Sequence, residues 1–159
     1  MEDSTVLKTT SSYLEEIAQG TGKSEFEGLI LQDLELIHVG KGVLRCKLLV
    51  TDRVAGEDGA WHAGVMTAVM DSIGAAAVYS TGNGLHSSLD LNSSFYSTAK
   101  IQETVEIEAR VNGSNGGLKS AVIEIRRETS GEIIATGRLW MSPLSVKVIP
   151  NVSALLSKL

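Results

Sequence analysis

Residues 61–80 constrain the fold of this chain more than any other stretch. They form a long apolar run in which small residues are frequent and Asp71 is the only carboxylate. A run of this length between strand-like segments predicts a helix from about His62 to Ser80, and the small residues let a sheet approach its backbone. A buried carboxylate is costly unless it is paired. Asp71 therefore marks either an ion pair at an interface or a reaction centre.

The segments around this helix show the period-two alternation or the turn boundaries of β-strands. Six strands are predicted, at residues 34–39, 43–50, 87–95, 104–111, 118–127 and 133–141, and residues 112–117 are predicted to form a hairpin turn. The capping pattern of Ser12 and Glu15 predicts an N-terminal helix at about 11–19, which Gly20 ends. One central helix among runs of strands indicates an α+β fold with a mostly antiparallel sheet around the helix.

The predicted strand at residues 87–95 has a clear alternation of apolar and polar side chains. Its apolar residues are expected on one face (Leu89, Leu91 and Phe95) and its polar residues on the other (Ser88, Asp90, Asn92 and Ser94). Successive side chains of a strand point to opposite faces of the sheet, so this pattern predicts one core-facing and one solvent-facing side.

The size and charge of the chain exclude several classes of protein. Residues 1–159 fit a single domain with a core of its own. The formal net charge of −5 argues against general affinity for nucleic acid or for anionic membranes. No run reaches the ~18 continuous apolar residues of a membrane span, and the acidic N-terminus lacks the apolar segment of a secretory signal.

Cys46 is the only cysteine, so no disulfide can form within the chain. Its place in an alternating strand predicts a small core residue rather than a catalytic thiol, because no histidine or basic group flanks it as thiolate chemistry requires. The three histidines and Cys46 lack the spacing of zinc ligands, so we expect no metal site.

The last three residues, Ser157-Lys158-Leu159, form the tripeptide that is read as a peroxisomal address. The sequence therefore predicts a peroxisomal protein whose C-terminal tail is bound by an import receptor. That tail has to be exposed for the receptor to bind it.

Several motifs, in the same order along the chain, resemble those of the hotdog-fold acyl-CoA thioesterases of the phenylacetic-acid-pathway and thioesterase-superfamily-member type. Gly59-Ala-Trp-His62-Ala-Gly64 followed by Asp71 resembles the family's Asn-x-x-Gly-x-x-His-Gly-Gly with an Asp seven residues later. Downstream matches are Ser88-Leu-Asp-Leu-Asn92, Phe95-Tyr-Ser-Thr-Ala-Lys100 and the stretch from Gly131 to Arg138. The resemblance covers about residues 34–141 and implies a single hotdog domain, with a long central helix wrapped by a curved, mostly antiparallel sheet.

The resemblance implies hydrolysis of an acyl-CoA thioester to a free acid and coenzyme A. It makes Asp71 the base or nucleophile and the backbone amide of Ala63 the oxyanion donor, at a helix start where amides are unpaired. Ser88 is expected to position the nucleophile or the water. His62 and Gly64 are expected to shape the turn. The family's Asn falls at Gly56, which has no side chain to polarise a thioester, and the first Gly of His-Gly-Gly is Ala63.

Coenzyme A is part of the substrate in this family, and no separate cofactor is implied. Its phosphates require cations, and the matched family positions are Lys100 and Arg138, with Asp90 and Asn92 beside them. Gly113 and Ser114 lie where the family contacts the nucleotide through backbone amides. Lys119, Arg126 and Arg127 are further cations that could assist.

The family also implies a homodimer or homotetramer whose sites use residues of two chains. Two other functions stay open for this sequence. One is a hotdog enoyl-CoA hydratase, although that chemistry places an Asp shortly before a His, and here His62 precedes Asp71. The other is a non-catalytic acyl-CoA binding protein, which the loss of the Asn at Gly56 keeps open.

Overall fold

The computed structural model describes residues 2–144. The helices are α1 (Glu2–Ala18), α2 (Glu25–Ile30) and α3 (Ala63–Tyr79), and a short 3₁₀ turn spans Asp52–Val54. The strands are β1 (Glu35–Gly40), β2 (Val43–Leu49), β3 (His86–Phe95), β4 (Thr104–Asn115), β5 (Leu118–Arg127) and β6 (Ile133–Pro143).

The six strands form one antiparallel sheet in the order β1-β2-β4-β5-β6-β3. The sheet is curved and does not close on itself, so β1 and β3 remain as its edges. Helix α3 packs against five of the strands, with most of its contacts to β3, β4 and β5. The predicted α+β fold, a long helix wrapped by a curved antiparallel sheet, is confirmed.

Close packing between α3 and the sheet depends on two glycines. A Cβ atom at Gly74 would lie 2.9 Å from Cδ2 of Leu139 and 3.1 Å from Cδ1 of Ile123. A Cβ atom at Gly137, on β6, would lie 2.8 Å from Sδ of Met70. All three distances are shorter than an ordinary contact between a Cβ atom and another heavy atom. The small residues that suggested a close approach of helix and sheet therefore lie at that contact.

Helix α1 begins at Glu2, nine residues before the predicted start at about residue 11. Its upstream half is rich in threonine and serine, which are weak helix formers. The hydroxyls of Thr9, Thr10 and Ser11 donate to carbonyls four residues earlier, and so are satisfied within the helix. Leu14 and Ile17 are buried in the core. Burial of this stripe outweighs the weak local propensity.

Strand β3 does not keep a single alternation. Its pairing with β6 shifts register between Ser88 and Asp90, which leaves Leu89 in a bulge. Leu89 is 60% exposed and Phe95 is 43% exposed, so the predicted apolar face is not a core face. A bulge inserts one extra residue and reverses the phase of the side chains beyond it. Ser88 and Leu91 therefore both face α3, and Ser88 does not share a face with Asp90.

The β4–β5 hairpin is longer than the sequence predicts. Strand β4 continues to Asn115, with an irregularity between Val111 and Gly113, and Asn115 pairs with Leu118. The turn is therefore only Gly116-Gly117, and both residues have positive φ, 56° and 88°. This is the requirement of a two-residue turn of the mirror-image type, which glycine meets without strain. The predicted turn at 112–117 is two residues instead of six.

The C-terminal tripeptide Ser157-Lys158-Leu159 lies outside the described residues. Within residues 2–144, none of the helices has both the length and the apolar character needed to cross a membrane.

Candidate active site

The carboxylate on the central helix has one direct partner. Ser88 of β3 donates its hydroxyl to Oδ1 of Asp71 at 2.6 Å. Asp71 is half-buried, and its second oxygen, Oδ2, has no protein partner among residues 2–144. The bulge at Leu89 matters here because it sets which residues of β3 face the helix. The site therefore offers a carboxylate with one oxygen fixed and the other available to a ligand or to water.

The N-terminus of α3 is capped by the side chain that precedes it. His62 accepts the amide of Gly64 on Nδ1 at 3.0 Å. Its carbonyl accepts the amides of Val65 and Met66, at 2.9 and 3.0 Å. The amide of Ala63 has no acceptor among the described residues, and Ala63 is exposed. Of the amides in the first turn, only that of Ala63 is available as a donor.

The chain before α3 is held by backbone bonds to two other segments. The amide of Trp61 donates to the carbonyl of Ala99 at 2.8 Å, and that of His62 donates to Val54 at 3.1 Å. Ala60 and Lys100 form an isolated antiparallel bridge. The structure thus brings Lys100 beside the N-terminus of α3, where the helix dipole also favours negative charge.

Ala63 and Asp71 are too far apart to act on one carbonyl group in the same chain. They are eight residues apart on α3, which corresponds to about 12 Å along the helix axis. An oxyanion donor and a base or nucleophile have to lie within hydrogen-bonding distance of the same reacting group. The two groups could act on one carbonyl group only if Ala63 came from one chain and Asp71 from another.

Gly56 forms a tight turn upstream of the helix. Its amide donates to Ala60 at 2.8 Å, and its carbonyl accepts the amide of Gly59 at 3.0 Å. Asp58 caps the same turn by accepting the amide of Ala60 at 3.0 Å. A Cβ atom at Gly56 would lie 3.0 Å from Oδ1 of Asp58. Asp58 therefore occupies part of the space that a side chain at position 56 would enter.

Arg138 and Asn92 are direct cross-strand neighbours on β6 and β3, and both are exposed. Arg138 has no ion-pair partner among residues 2–144, so its charge is available to an anionic ligand. Asp90 is paired with Trp140, further along the same two strands, and is exposed. The structure brings Arg138 and Asn92 together.

Gly113 and Ser114 are not part of the hairpin turn. They lie in β4, paired with Ser120 and Lys119. Gly113 follows Thr104, where β4 begins, by nine residues, which is about 30 Å of strand. Lys100 lies four residues before the start of β4. Within one chain, Lys100 therefore lies near one end of β4, and Gly113 and Ser114 lie near the other end.

A model of the thioesterase superfamily matches residues 58–134. That range contains Ala63, Asp71 and Ser88. Over this range, which is just under half of its length, the chain resembles the thioesterase superfamily. It is also similar to acyl-coenzyme A thioesterase 13 of Mus musculus, with 29% identity over 110 residues, covering 69% of this chain and 79% of that protein.

Two solved structures have the same fold as this chain. Zebra fish thioesterase superfamily member 2 matches with a TM-score of 0.76 and 24% identity, over 84% of this chain and 95% of that one. A Streptococcus mutans protein solved bound to acetyl CoA matches with a TM-score of 0.64 and 16% identity, over 69% of this chain and 86% of that one. The hotdog resemblance predicted from the motifs is confirmed.

The basic residues near this site differ in whether they form ion pairs with acidic side chains of the same chain. Arg126 is bound to Glu124 at 2.8 Å. Arg127 is bound to Glu103 and Glu132, and it donates to the carbonyl of Thr98 at 2.8 Å. Both guanidinium groups are therefore already engaged by acidic side chains of the same chain.

Arg127 has a structural role that the sequence did not indicate. Glu103, its partner, also accepts the amide of Lys100 at 2.6 Å. Arg127 therefore fixes the segment that carries Lys100, through Thr98 on one side and Glu103 on the other. No local pattern predicts this network, because its members come from two segments that are distant in the sequence, residues 98–103 and 127–132.

Cys46 is buried in the core, and burial raises the pKa of its thiol to about 12. A thiol with such a pKa is not a thiolate near neutral pH, so Cys46 is not a nucleophile. Among residues 2–144, no three histidine, cysteine or acidic side chains lie close enough together to hold a metal ion.

Proposed function

We propose that this chain hydrolyses an acyl-CoA thioester to a free acid and coenzyme A, with Asp71 as base or nucleophile. The observation that carries the proposal is the 2.6 Å bond from Ser88 to Oδ1 of Asp71 on the central helix of a thioesterase superfamily fold. Oδ2 is then free to take a proton from water or to attack the carbonyl carbon. If Asp71 acts as the base, hydroxide adds to the carbonyl carbon, and collapse of the tetrahedral intermediate expels the coenzyme A thiolate, which takes the proton from Asp71. If Asp71 acts as the nucleophile, the same collapse leaves an acyl anhydride of Asp71, and water hydrolyses it to the free acid, restores the carboxylate and supplies the proton for the thiolate.

The proposed oxyanion donor is the amide of Ala63 in a second copy of the chain. The intermediate carries negative charge on the former carbonyl oxygen, and an unpaired amide at a helix start stabilises such charge. Removal of one donor of this kind typically slows catalysis about 10²–10³-fold. The separation of Ala63 and Asp71 along α3 is the reason to assign the two groups to different chains.

A homodimer is proposed to form along β3. This edge strand is ten residues long, and β6 is its only partner among residues 2–144. Leu89 and Phe95 are exposed on it, and Tyr96, immediately after it, is 65% exposed. A long edge strand with exposed apolar side chains readily pairs with another strand. Further association into a tetramer is the second state to test.

Lys100 and Arg138 are proposed to bind the phosphates of coenzyme A. Arg138 is unpaired among the described residues, and Lys100 lies beside the start of α3. Asn92 beside Arg138 supplies an amide, and Gly113 and Ser114 of the partner chain are the candidates for the other end of the nucleotide. Water and the thioester suffice for this reaction, so dialysis against a chelator is expected to leave the rate unchanged.

The decisive measurement is free thiol release from a panel of acyl-CoA thioesters by the purified chain. Asp71→Ala and Asp71→Asn are expected to abolish release. Asp52→Asn, which removes an exposed carboxylate from the loop before α3, is the matched control and is expected to leave the rate unchanged. Equal rates for Asp71→Asn and the parent chain would contradict the assignment.

The same panel separates the two alternatives. Tight binding of coenzyme A with no thiol release from any thioester identifies a non-catalytic binding protein. Loss of enoyl-CoA absorbance without thiol release identifies a hydratase. In either case the proposed hydrolysis is wrong, although the fold and the resemblance to the thioesterase superfamily are unaffected.

We also propose that Ser157-Lys158-Leu159 directs this chain to peroxisomes through an import receptor. The support is the tripeptide itself. A fluorescent protein fused in front of the chain is expected to colocalise with a peroxisomal marker. Removal of the last three residues should disperse it, and an unchanged distribution would contradict the proposal.

A further inference from the structure

Lys100 begins a tight turn that ends at Glu103, and two hydrogen bonds join these residues. The amide of Glu103 donates to the carbonyl of Lys100 at 3.0 Å. In return, Oε2 of Glu103 accepts the amide of Lys100 at 2.6 Å. The backbone of Lys100 is therefore bound on both sides of its Cα atom by one residue. The direction in which the Lys100 side chain leaves the turn depends on where Glu103 is held.

The third residue of this turn has a backbone conformation that is uncommon outside glycine. Gln102 has φ 72°, whereas Ile101 before it does not have a positive φ. This combination is typical of a type II turn, whose third position is usually glycine. A residue with a side chain persists in this conformation only where its surroundings hold the backbone there. The turn at residues 100–103 is thus maintained by its neighbours more than by the preference of its own residues.

Arg127, on β5, is the side chain that holds this segment from outside. Its guanidinium is bound to the carboxylate of Glu103, and it donates to the carbonyl of Thr98 at 2.8 Å. Its Nε donates to Glu132 at 3.1 Å, and the Arg127 side chain is only 17% exposed. A guanidinium group has its donors in fixed directions within one plane. One rigid group therefore fixes both ends of residues 98–103 relative to the sheet.

The middle of the same segment is held by backbone bonds that do not involve Arg127. The amide of Ile101 donates to Gly59 at 3.1 Å, and that of Gln102 donates to Val50 at 2.8 Å. These bonds remain when a side chain is exchanged. Loss of Arg127 should therefore loosen the turn around Lys100 without detaching the segment from the fold.

The two cations at this place have different surroundings. Lys100 is exposed and forms no ion pair with any side chain among residues 2–144. Arg127 is largely buried between two carboxylates. The cation that is free to meet an anionic ligand is therefore Lys100, and the one that supports it is Arg127.

We infer that Arg127 is a positioning residue for coenzyme A: by holding both ends of residues 98–103, it keeps Lys100 aligned with the phosphates. The inference rests on the proposed function, in which Lys100 binds those phosphates, and it adds the residue that sets their affinity. Arg127 itself contacts no part of the substrate.

A pair of ligands tests this role: coenzyme A, and pantetheine, which has the same thiol arm but no phosphate. Arg127→Gln is expected to weaken binding of coenzyme A about tenfold, as for one lost bond between charged groups. Binding of pantetheine should not change. Arg45→Gln removes the same charge from an ion pair on β2 and should leave both affinities unchanged. In thiol release, KM for an acyl-CoA should rise in Arg127→Gln, whereas kcat/KM for the pantetheine thioester of the same acid should not change.

A double-mutant cycle shows whether Arg127 acts through Lys100. Lys100→Gln should also weaken coenzyme A binding about tenfold, and adding Arg127→Gln to it should cause little further loss, because the two residues serve one interaction. Losses that multiply to about a hundredfold would mean that Arg127 binds a phosphate by itself, and the inference would be overturned.

Glu103→Ala gives a test in which the two readings have opposite signs. It removes a negative charge and releases Arg127, so tighter binding of coenzyme A would show direct contact with Arg127 and overturn the inference. Weaker binding is expected, since the turn that carries Lys100 is lost. Gln102→Gly, added to Arg127→Gln, should restore part of the affinity, because glycine adopts a positive φ without strain.

The results separate this inference from the proposed hydrolysis. If no thioester releases thiol but Arg127→Gln weakens coenzyme A binding alone, hydrolysis is wrong and the positioning role stands. If thiol is released and Arg127→Gln binds coenzyme A as the parent chain does, the positioning role is wrong and hydrolysis stands. An equal loss of affinity for coenzyme A and pantetheine would indicate a general distortion and would also overturn the role. Thermal melts show whether Arg127→Gln folds, and Glu103→Ala decides the matter if it does not.

Discussion

The amide of Gly64 donates to Nδ1 of His62 at 3.0 Å, and this bond leaves the amide of Ala63 as the open donor at the start of α3. In the proposed mechanism, the histidine and the glycine therefore act by shaping the helix start that carries the donor. The alanine that replaces the family's first glycine costs nothing in this respect, because the group in use belongs to the backbone.

Ala63→Pro removes that donor while leaving the helix intact. Proline is well tolerated at the first position of a helix. The preceding residue, His62, has φ −67° and ψ 131°, an extended conformation that a residue before proline can adopt. We expect kcat to fall about 10²–10³-fold with an unchanged melting temperature. Ala63→Ser keeps the amide and should retain most of the activity, and a fully active proline variant would exclude this amide as the donor.

Ser88→Ala should lower kcat by about 10–100-fold and leave KM nearly unchanged. A hydrogen bond to a charged group is worth about 1.5–3 kcal/mol, and this bond fixes the reacting carboxylate rather than the substrate. Steady-state kinetics of thiol release measure both constants. The control is Ser87→Ala, one residue earlier on β3 and exposed, which should behave as the parent chain does.

Gly56→Asn restores the side chain that the family places at this position. If its carboxamide reaches the thioester, kcat/KM should rise about tenfold, as expected for one added hydrogen bond. The new Cβ displaces the carboxylate of Asp58, which the Gly56→Ala variant reproduces without an amide. Equal activities of the asparagine and alanine variants would show that the site is already complete without this group.

Gly74→Val should destabilise the fold by about 2–3 kcal/mol, since the added carbons enter the contact between α3 and the sheet. Urea unfolding measures the loss. Gly28 of α2 faces open space, so Gly28→Val is expected to be close to neutral. A neutral Gly74→Val variant would mean that the helix can move away from Leu139 and Ile123 at little cost.

Arg127 should make stability depend on acid pH. The amide of Lys100 and, with a smaller effect, the guanidinium of Arg127 lower the pKa of Glu103. The same guanidinium lowers the pKa of Glu132. Carboxyls with lowered pKa in the folded chain stabilise it above their ordinary pKa of 4.5, and that stability is lost as pH falls.

Because this stabilisation is lost as pH falls, Arg127→Gln should differ from the parent chain in a pH-dependent way. The parent should be the more stable of the two near neutral pH, and the difference in unfolding free energy should shrink as pH falls below about 4.5. Arg53→Gln, whose side chain is bound to the neutral Gln32, should show a difference that does not vary with pH. If the difference in unfolding free energy between Arg127→Gln and the parent chain did not change with pH, the titration of Glu103 and Glu132 would not be the cause.

The sequence predicts the parts of this fold that depend on long periodic segments. The central helix and all six strands were found within a few residues of their ends, because burial of one face imposes its period on the residues. The first half of α1 was not, since its serines and threonines favour a helix only when Leu14 and Ile17 are packed against the core.

Features that depend on the register between distant segments were less accessible. The alternation of Ser88, Asp90 and Asn92 gives no sign of the bulge at Leu89, which is set by the pairing of β3 with β6. The family motif supplied Asp71, Ala63 and Ser88 as candidates, and the structure placed Ser88 against Asp71.

The eight-position separation of Ala63 and Asp71 along α3 also has a consequence for reaction order. If each site is shared by two chains, a single chain has no turnover of its own. In dilute solution the rate of thiol release should then rise with the square of the protein concentration, and it should become linear only where nearly all chains are paired. The amount of this protein in the cell would thus act on its total activity in two ways: it sets the number of chains, and it sets the fraction of those chains that form dimers.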